Sequence, residues 1–251
     1  ARIALENQEY SLWKDAINKA TSPESKAQIS LSIARHGSDE DRINALNLLS
    51  KLDWTSFGES KKIDYIRSID LLLTRSEDIP SGVKKALIDS LLPRYLSESQ
   101  TLNKELCKIL SYLQVSEIIA PTLEKMETDT IVTEDQKSIY LSSSVSARSD
   151  QYGKDVERML ANMPNQQNIS YAKSLSAVKS GWTNELNEKY FKWYNKALKR
   201  SGGKQYAGFI RAIQQLALNN VDEADRQFYE AMAGEGLKGH SSYMANVTQP
   251  K

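Results

Sequence analysis

Cysteine and histidine are scarce in this sequence, and their scarcity limits the chemistry that it can carry. Cys107 is the only cysteine, so no disulfide can form within the chain. The redox compartment stays open, because many exported proteins also have few cysteines. His36 and His240 are the only histidines, too few for the usual zinc sites unless carboxylates complete them. The sequence also has no Cys-x-x-Cys or His-Glu-x-x-His motif, so we predict no catalytic residue, metal site or cofactor in it.

An excess of one charge and long apolar runs are lacking as well. With 33 cations and 32 carboxylates the net charge is +1, whereas proteins that bind nucleic acid usually carry a clear basic excess. No apolar run approaches the roughly 20 residues that span a bilayer, so we predict no transmembrane segment. The opening ARIALENQEY lacks the pattern of a signal peptide, and its first Ala leads us to expect a processed form or an excised segment.

Glycine and proline are also few, with 11 and 6 in 251 residues. Apolar residues instead recur every three or four positions, as Ile43, Leu46 and Leu49 do. This is the period of amphipathic helices, so the sequence predicts an all-α protein. The helices are predicted near residues 2–19, 23–36, 39–51, 59–75, 80–96, 101–113, 116–126, 134–147, 151–162, 168–178, 184–200, 205–219 and 222–233.

About 12–13 helices with short connections predict a stack of antiparallel helix pairs. We expect a right-handed α-α superhelix of the HEAT or armadillo type, with an irregular helical bundle as the alternative. Composition divides the chain into a repeat stack at 1–180, an aromatic-rich helical cap at 181–233 and a tail or linker at 234–251.

Two short segments combine residues that could serve either a site or a helix end. The acidic run Ser38–Asp41 could suggest a metal site, but it also fits the positive end of a helix dipole, and helix capping is the better interpretation. His36 precedes Gly37 at a predicted helix end, where both residue types are favoured. Cys107 flanks a leucine stripe and is interpreted as a structural thiol.

The stretch YFKWYNKALKRSGGKQYAGFIRAI, residues 190–213, is dense in aromatic and cationic side chains and has no carboxylate. Its aromatic residues have helical spacing, and the pair Gly202-Gly203 suits a chain reversal, so a helical hairpin is the preferred interpretation. The alternative is a surface that binds an anionic or carbohydrate ligand. Its candidate residues are Trp182, Trp193, Tyr194, Lys199, Arg200 and Lys204.

Three segments in order resemble a helical-repeat region of large exported bacterial proteins. The segments are ARIALENQEYSLWKDAI, LNKELCKILSYLQVSEIIAPTLEKM and YFKWYNKALKRSGGKQYAGFI. The family is of planctomycete, verrucomicrobial and Bacteroidetes type, and its members are labelled membrane-bound or sorbosone-type dehydrogenases or haem-binding proteins. In them the region lies between a β-propeller and a c-type cytochrome domain.

The resemblance implies a HEAT-like scaffold in a periplasmic or otherwise exported multidomain protein, with no catalytic residue in this segment. The sequence has no Cys-x-x-Cys-His motif, so no c-type haem can attach here. We therefore expect a non-enzymatic scaffold whose partners are proteins or neighbouring domains of a larger chain, and not nucleic acid. The ligand-binding module above is the alternative, and a hydrolase or lyase on a helical scaffold is a third.

Overall fold

The computed structural model describes residues 2–128, 165–200 and 205–234, and these three ranges contain helices and turns but no β-strand. Within them lie thirteen α-helices, which we number in chain order. They are α1 Arg2–Glu6, α2 Tyr10–Trp13, α3 Ala16–Lys19, α4 Pro23–His36, α5 Asp39–Leu49, α6 Glu59–Arg75, α7 Ser81–Leu91, α8 Gln100–Tyr112, α9 Ile119–Thr128, α10 Gln166–Leu175, α11 Asn184–Leu198, α12 Tyr206–Leu218 and α13 Glu223–Ala233. Two 3₁₀ helices, Leu92–Arg94 and Ser116–Ile118, precede α8 and α9.

The all-α prediction is confirmed, and most predicted helices have their counterpart in the structure. The predictions for 23–36 and 59–75 match α4 and α6 at both ends. The predicted helices at 134–147 and 151–162 lie outside the described residues. None of the described helices is both long enough and apolar enough to cross a membrane.

Two predicted helices are wrong in extent. The single helix expected at 2–19 is three short helices, and the indole N–H of Trp13 donates to the Gln8 carbonyl at 3.4 Å in the break between the first two. The helix expected at 80–96 ends at Leu91 and continues only as a 3₁₀ turn that contains Pro93. Proline has no N–H to donate to the preceding turn, which explains the end of that helix.

The capping interpretation of the acidic run is confirmed. The Ser38 hydroxyl accepts a hydrogen bond from the Asp41 N–H at 3.2 Å, and the Asp41 carboxylate accepts one from the Ser38 N–H at 2.9 Å. This reciprocal pair satisfies two backbone donors at the start of α5. Ser22 caps α4 through a single bond of this kind, because its hydroxyl accepts from the Ser25 N–H at 3.1 Å.

The chain divides into two compact units, Ala1–Val115 and Ser116–Lys251. The predicted boundary between 180 and 181 falls inside the second unit, and of the predicted tail only Gly234 is described.

In the first unit, successive helices alternate between two layers. α4 packs mainly against α6, and α6 against α8, whereas α5 packs against α7. The sequence neighbours α4 and α5, α5 and α6, and α7 and α8 contact each other across the layers, and α1 and α3 contact α4. The helices therefore bury their apolar stripes against one another. Side chains with at most 1% exposure include Leu46, Leu49, Tyr65, Ile66, Ile69, Leu72, Leu87, Leu91, Leu102, Leu106 and Leu110.

Polar bonds tie neighbouring helices of the α4–α6–α8 layer together. Lys61 Nζ lies 2.9 Å from Glu24 Oε1, and Lys108 Nζ lies 2.5 Å from Asp70 Oδ2. Further pairs are Gln28–Asp64, Lys62–Glu98 and Arg67–Glu105. In each of these bonds the two residues are 36–38 positions apart in the sequence. Three of these ion pairs have an exposed cation, and exposed pairs stabilise by only about 0–1 kcal/mol each, so they indicate which helices pair and contribute little to the free energy of packing. Lys62 and Glu98 are more buried, with side chains 15% and 14% exposed.

The described helices of the second unit alternate in the same manner. α11 packs against both α9 and α13, and α10 packs against α12. α11 also contacts α12, and α12 contacts α13. The core contains Tyr171, Leu175, Tyr190, Phe191, Tyr194 and Ile210, each at most 1% exposed. α11 is thus the central described helix of this unit.

Gly181, in the turn before α11, is required by both conformation and space. Its φ is +87°, and a Cβ there would lie 2.3 Å from the Ser116 Cβ. We therefore expect Gly181→Ala to lower the free energy of unfolding by about 2–4 kcal/mol, the sum of backbone strain and overpacking. Urea denaturation followed by circular dichroism measures this change.

Gly208→Ala is the matched control in the same unit. Gly208 lies within α12, and a Cβ there would meet nothing within 4 Å. Because alanine favours a helix over glycine, this variant should be more stable by up to about 1 kcal/mol. Equal effects of the two substitutions would contradict the strain assigned to Gly181.

Candidate functional site

An open cleft of about 350 Å³ lies in the second unit. It is formed by the last residues of α9, the start of α10, one side of α11 and the end of α13. Its volume falls at the lower end of the range for ligand pockets, about 300–1,000 Å³. Lys189, Lys192, Lys196, Lys199 and Arg200 line it, together with Trp193 and Glu127.

The lysines reach the cleft together because of their spacing on α11. Lys189, Lys192, Lys196 and Lys199 follow one another at intervals of three or four residues, the spacing that brings side chains to one face of a helix. From the first to the last the helix rises about 15 Å. The sequence of α11 therefore builds a row of ammonium groups along one side of the cleft.

The opposite face of α11 is aromatic and belongs to the core. The Tyr194 hydroxyl donates to the Tyr190 hydroxyl at 2.8 Å, and Tyr190 donates in turn to the Ala172 carbonyl on α10. Phe191 stacks on Tyr229 of α13 with ring centroids 5.1 Å apart. Burial raises the pKa of the Tyr194 hydroxyl well above its usual value, so this hydroxyl stays protonated and donates. The aromatic face holds α11 in place behind the cleft.

The cations in the cleft differ in how far their charges are compensated. Lys192 Nζ lies 2.7 Å from Glu188 Oε2, and Lys189 Nζ lies 3.4 Å from Glu185 Oε1, both one helical turn earlier. Lys196, Lys199 and Arg200 form no ion pair with any carboxylate of the described residues. Among the described residues, the uncompensated positive charge of the cleft is therefore concentrated around the last turn of α11.

Apolar side chains and amides complete the lining. Met232 contributes apolar surface beside Trp193, whereas Met126 and Ala197 border the cleft with only 2% of their surface exposed. The Asn168 amide donates to the Met126 carbonyl at 3.1 Å, and the Asn195 amide donates to the Met232 carbonyl at 2.9 Å. These two bonds tie the ends of α9 and α13 to their neighbours, so the apolar part of the cleft is fixed by polar bonds beside it.

The structure brings three of the six residues singled out from the sequence to this cleft. Trp193, Lys199 and Arg200 line it. Tyr194 is fully buried in the core, and Trp182 stacks on Tyr190 at 4.9 Å while its indole N–H donates to the Val178 carbonyl at 2.8 Å. Lys204 lies outside the described residues, as does the pair Gly202-Gly203.

Sequence reasoning missed most of the other lining residues. Lys189, Lys192 and Lys196 could have been found, because their spacing with Lys199 defines a helical face. Met126 and Met232 carried no such signal. Met126 lies 58 residues before the start of α11 and Met232 lies 34 residues after its end. Only the packing of α9 and α13 on α11 brings them to the cleft.

The single cysteine and His36 take structural positions. Cys107 is fully buried in α8. His36 ends α4, with its ring edge-on to Trp13 at 6.1 Å, and the Gly37 N–H donates to the Ile33 carbonyl at 2.8 Å. A Cβ at Gly37 would lie 2.8 Å from that carbonyl oxygen, so space requires this glycine. Within the described ranges, no three or more His, Cys, Asp or Glu residues are grouped as metal ligands would be.

A second groove lies in the first unit and is more open. Its lining includes Asn18, Asn44, Asn47, Lys26 and Lys51. It has no aromatic residue, and Leu48 and Leu52 are its only apolar residues. Since specific sites combine apolar contact with a few convergent polar groups, the cleft beside α11 is the better candidate.

Comparison with known proteins gives no evidence about the function of this chain. No protein-family model, curated protein sequence or solved structure matches this chain. The resemblance to the helical region of exported dehydrogenases therefore stays a prediction.

Tyr206, near the positive end of the cleft, should give the free energy of unfolding a measurable dependence on pH. Burial raises the pKa of its hydroxyl to about 12, while the charge of Arg200 opposes this rise, and the hydroxyl donates to the Ala197 carbonyl at 2.9 Å. An unfolded tyrosine ionises near about pH 10. Between these two values the unfolded state has released a proton that the folded state retains. The contribution of Tyr206 to stability is therefore complete below about pH 10 and falls as the pH rises toward 12.

Tyr206→Phe removes this titration. We expect the difference in unfolding free energy between wild type and Tyr206→Phe to be constant from about pH 7 to 9 and to shrink above about pH 10. Urea denaturation of both proteins across this range measures the difference. A difference that is independent of pH up to 12 would contradict a buried, protonated Tyr206.

Proposed function

We propose that this chain is a non-catalytic helical-repeat scaffold or protein-interaction module. The observation that carries the proposal is the regular pairing in the first unit, where residues 36–38 positions apart bond along one layer of helices. Such spacing is typical of repeats of two helices, each stacked on the next. Stacked repeats present long, rigid faces, and proteins use such faces to bind other proteins.

The finer architecture belongs to the same proposal. Alternation of successive helices between two layers supports a HEAT-type repeat, and a right-handed α-α superhelix is the form that such repeats take. The sequence resemblance supports a place for this module in a larger exported protein of the dehydrogenase or cytochrome type. In that arrangement the partners are neighbouring domains of the same chain or a separate protein.

A photo-cross-linking scan tests the scaffold. A cross-linking amino acid replaces exposed residues of the α4–α6–α8 layer, at Gln28, Arg67 and Lys104, and of the other layer, at Asn44 and Lys84. In the source organism we expect one partner, or one segment of the parent chain, to cross-link from successive helices of a single layer, because a repeat face binds along its length. Mass spectrometry identifies the cross-linked peptides.

The second layer is the internal control of this scan. Equal cross-linking from both layers would indicate nonspecific capture. If neither layer gives a specific product, the first unit presents no interaction face, and the scaffold proposal is wrong.

The cleft beside α11 favours a second candidate function, a binding module for an anionic or carbohydrate ligand. Trp193, Lys199 and Arg200 were singled out for this function from the sequence, and all three line the cleft. Electrostatic attraction is strongest at low salt, so a titration at low ionic strength with a heparin-like polymer, an oligonucleotide and neutral oligosaccharides is the appropriate test. Binding that is lost in Trp193→Ala supports this function, and binding by none of them contradicts it for these ligands.

A further inference from the structure

The cleft beside α11 combines two kinds of surface that a single ligand would have to match. One part is apolar, formed by the half-buried side chains of Trp193 and Met232, beside Met126 and Ala197, which are only 2% exposed. Methionine side chains are flexible and polarisable, so they adapt to apolar side chains of different shapes. The other part is the row of cations on α11. An occupant therefore needs an apolar anchor and negative charges on the side that faces α11.

The charge balance of the cleft limits how anionic that occupant is. Of the five cations that line the cleft, two pair with Glu185 and Glu188 outside it, and Glu127 is the one carboxylate of the described lining. Among the described residues the remaining positive charge is modest and lies mainly with Lys196, Lys199 and Arg200. A few carboxylates on the occupant would complement it.

This balance disfavours a polyanion. Nucleic acids and sulfated polymers bind through many charge contacts and the release of counterions, and they would meet the carboxylates of α11 and α9 here. The net charge of the whole chain, +1, points the same way. A neutral sugar would leave the cations without a partner, and the Met232 side chain would offer its hydroxyl groups no hydrogen bond.

We propose that this cleft binds an acidic, amphipathic helical segment of a protein partner, with its apolar side chains against Trp193 and Met232 and its carboxylates toward Lys196, Lys199 and Arg200. Helical segments commonly bind in this manner, through apolar residues one turn apart that enter a groove. Lys196 to Arg200 rise about 6 Å along α11, so the carboxylates that face them lie within about one turn of the bound helix. The inference deepens the proposed interaction function and rests on it.

Fluorescence anisotropy with the full 251-residue chain tests the inference. The probe is a labelled 16-residue peptide with leucines at helical spacing and glutamates on one flank. The matched peptide has glutamine in place of each glutamate, and a second has serine in place of each leucine. At low salt we expect the acidic amphipathic peptide to bind at least about tenfold more tightly than either relative, because it alone matches both surfaces.

Charge reversal in the cleft provides the second measurement. The double variant Lys196→Glu with Arg200→Glu should weaken binding of the acidic peptide by at least about tenfold. The matched control, Lys173→Glu with Lys84→Glu, reverses two exposed lysines that do not line the cleft, and it should change the affinity by less than about twofold. Circular dichroism melting of both double variants confirms that each is folded.

Each other outcome overturns the inference. Equal binding of all three peptides, or equal loss in the two double variants, means that the cleft does not recognise an acidic amphipathic helix. Binding of the heparin-like polymer, oligonucleotide or oligosaccharide that depends on Lys196 and Arg200, without peptide binding, identifies a different ligand class. The cross-linking scan concerns the first unit, so a specific partner there with no peptide binding here would leave the scaffold proposal standing and reject only this inference.

Discussion

The structure depends on one constraint: each amphipathic helix must bury its apolar stripe against other helices. In the first unit, α6 meets this constraint by packing against α4 and α8 in its own layer and α5 in the other. The polar bonds between residues 36–38 positions apart follow from the same arrangement, since they join the outer parts of helices that the core already holds together. The repeated spacing is thus a consequence of how the helices bury their apolar stripes, and the ion pairs on the surface show the same spacing.

The same constraint explains the two faces of α11. Its aromatic face is committed to the core, where the hydroxyls of Tyr194 and Tyr190 form a buried chain that ends on the Ala172 carbonyl. Because that face is joined to α10 by the Tyr190–Ala172 bond and to α13 by the Phe191–Tyr229 stack, the remaining face lies toward the cleft with its lysines about one turn apart. The position of the cleft is therefore a consequence of how α11 is packed, and the amide bonds of Asn168 and Asn195 join its lining to α9 and α13.

The two proposed functions use different parts of the chain. The scaffold function draws on the long faces of stacked helices, for which no single side chain is essential. The binding function draws on a small set of convergent residues, of which Trp193 and Arg200 are the clearest examples. An interaction module can contain both, since an extended face supplies area and a cleft supplies the selective contact.

The sequence by itself determined the all-α class, most helix positions and the helix starts, because these depend on local spacing and on caps such as Ser38 with Asp41. It did not determine the break within 2–19, where Trp13 turns back onto the Gln8 carbonyl.

Only the tertiary structure decided which helices are partners. Leucine stripes are alike from helix to helix, so nothing local distinguishes the partner of α4 from any other helix. The candidate surface predicted from the sequence contained Trp193, Lys199 and Arg200, which line the cleft, but also Tyr194, which is buried. Spacing along one helix does not show which of its sides a neighbouring helix covers. Met126 and Met232 joined the cleft only through the packing of α9 and α13 on α11, an arrangement set by the fit of whole helix faces.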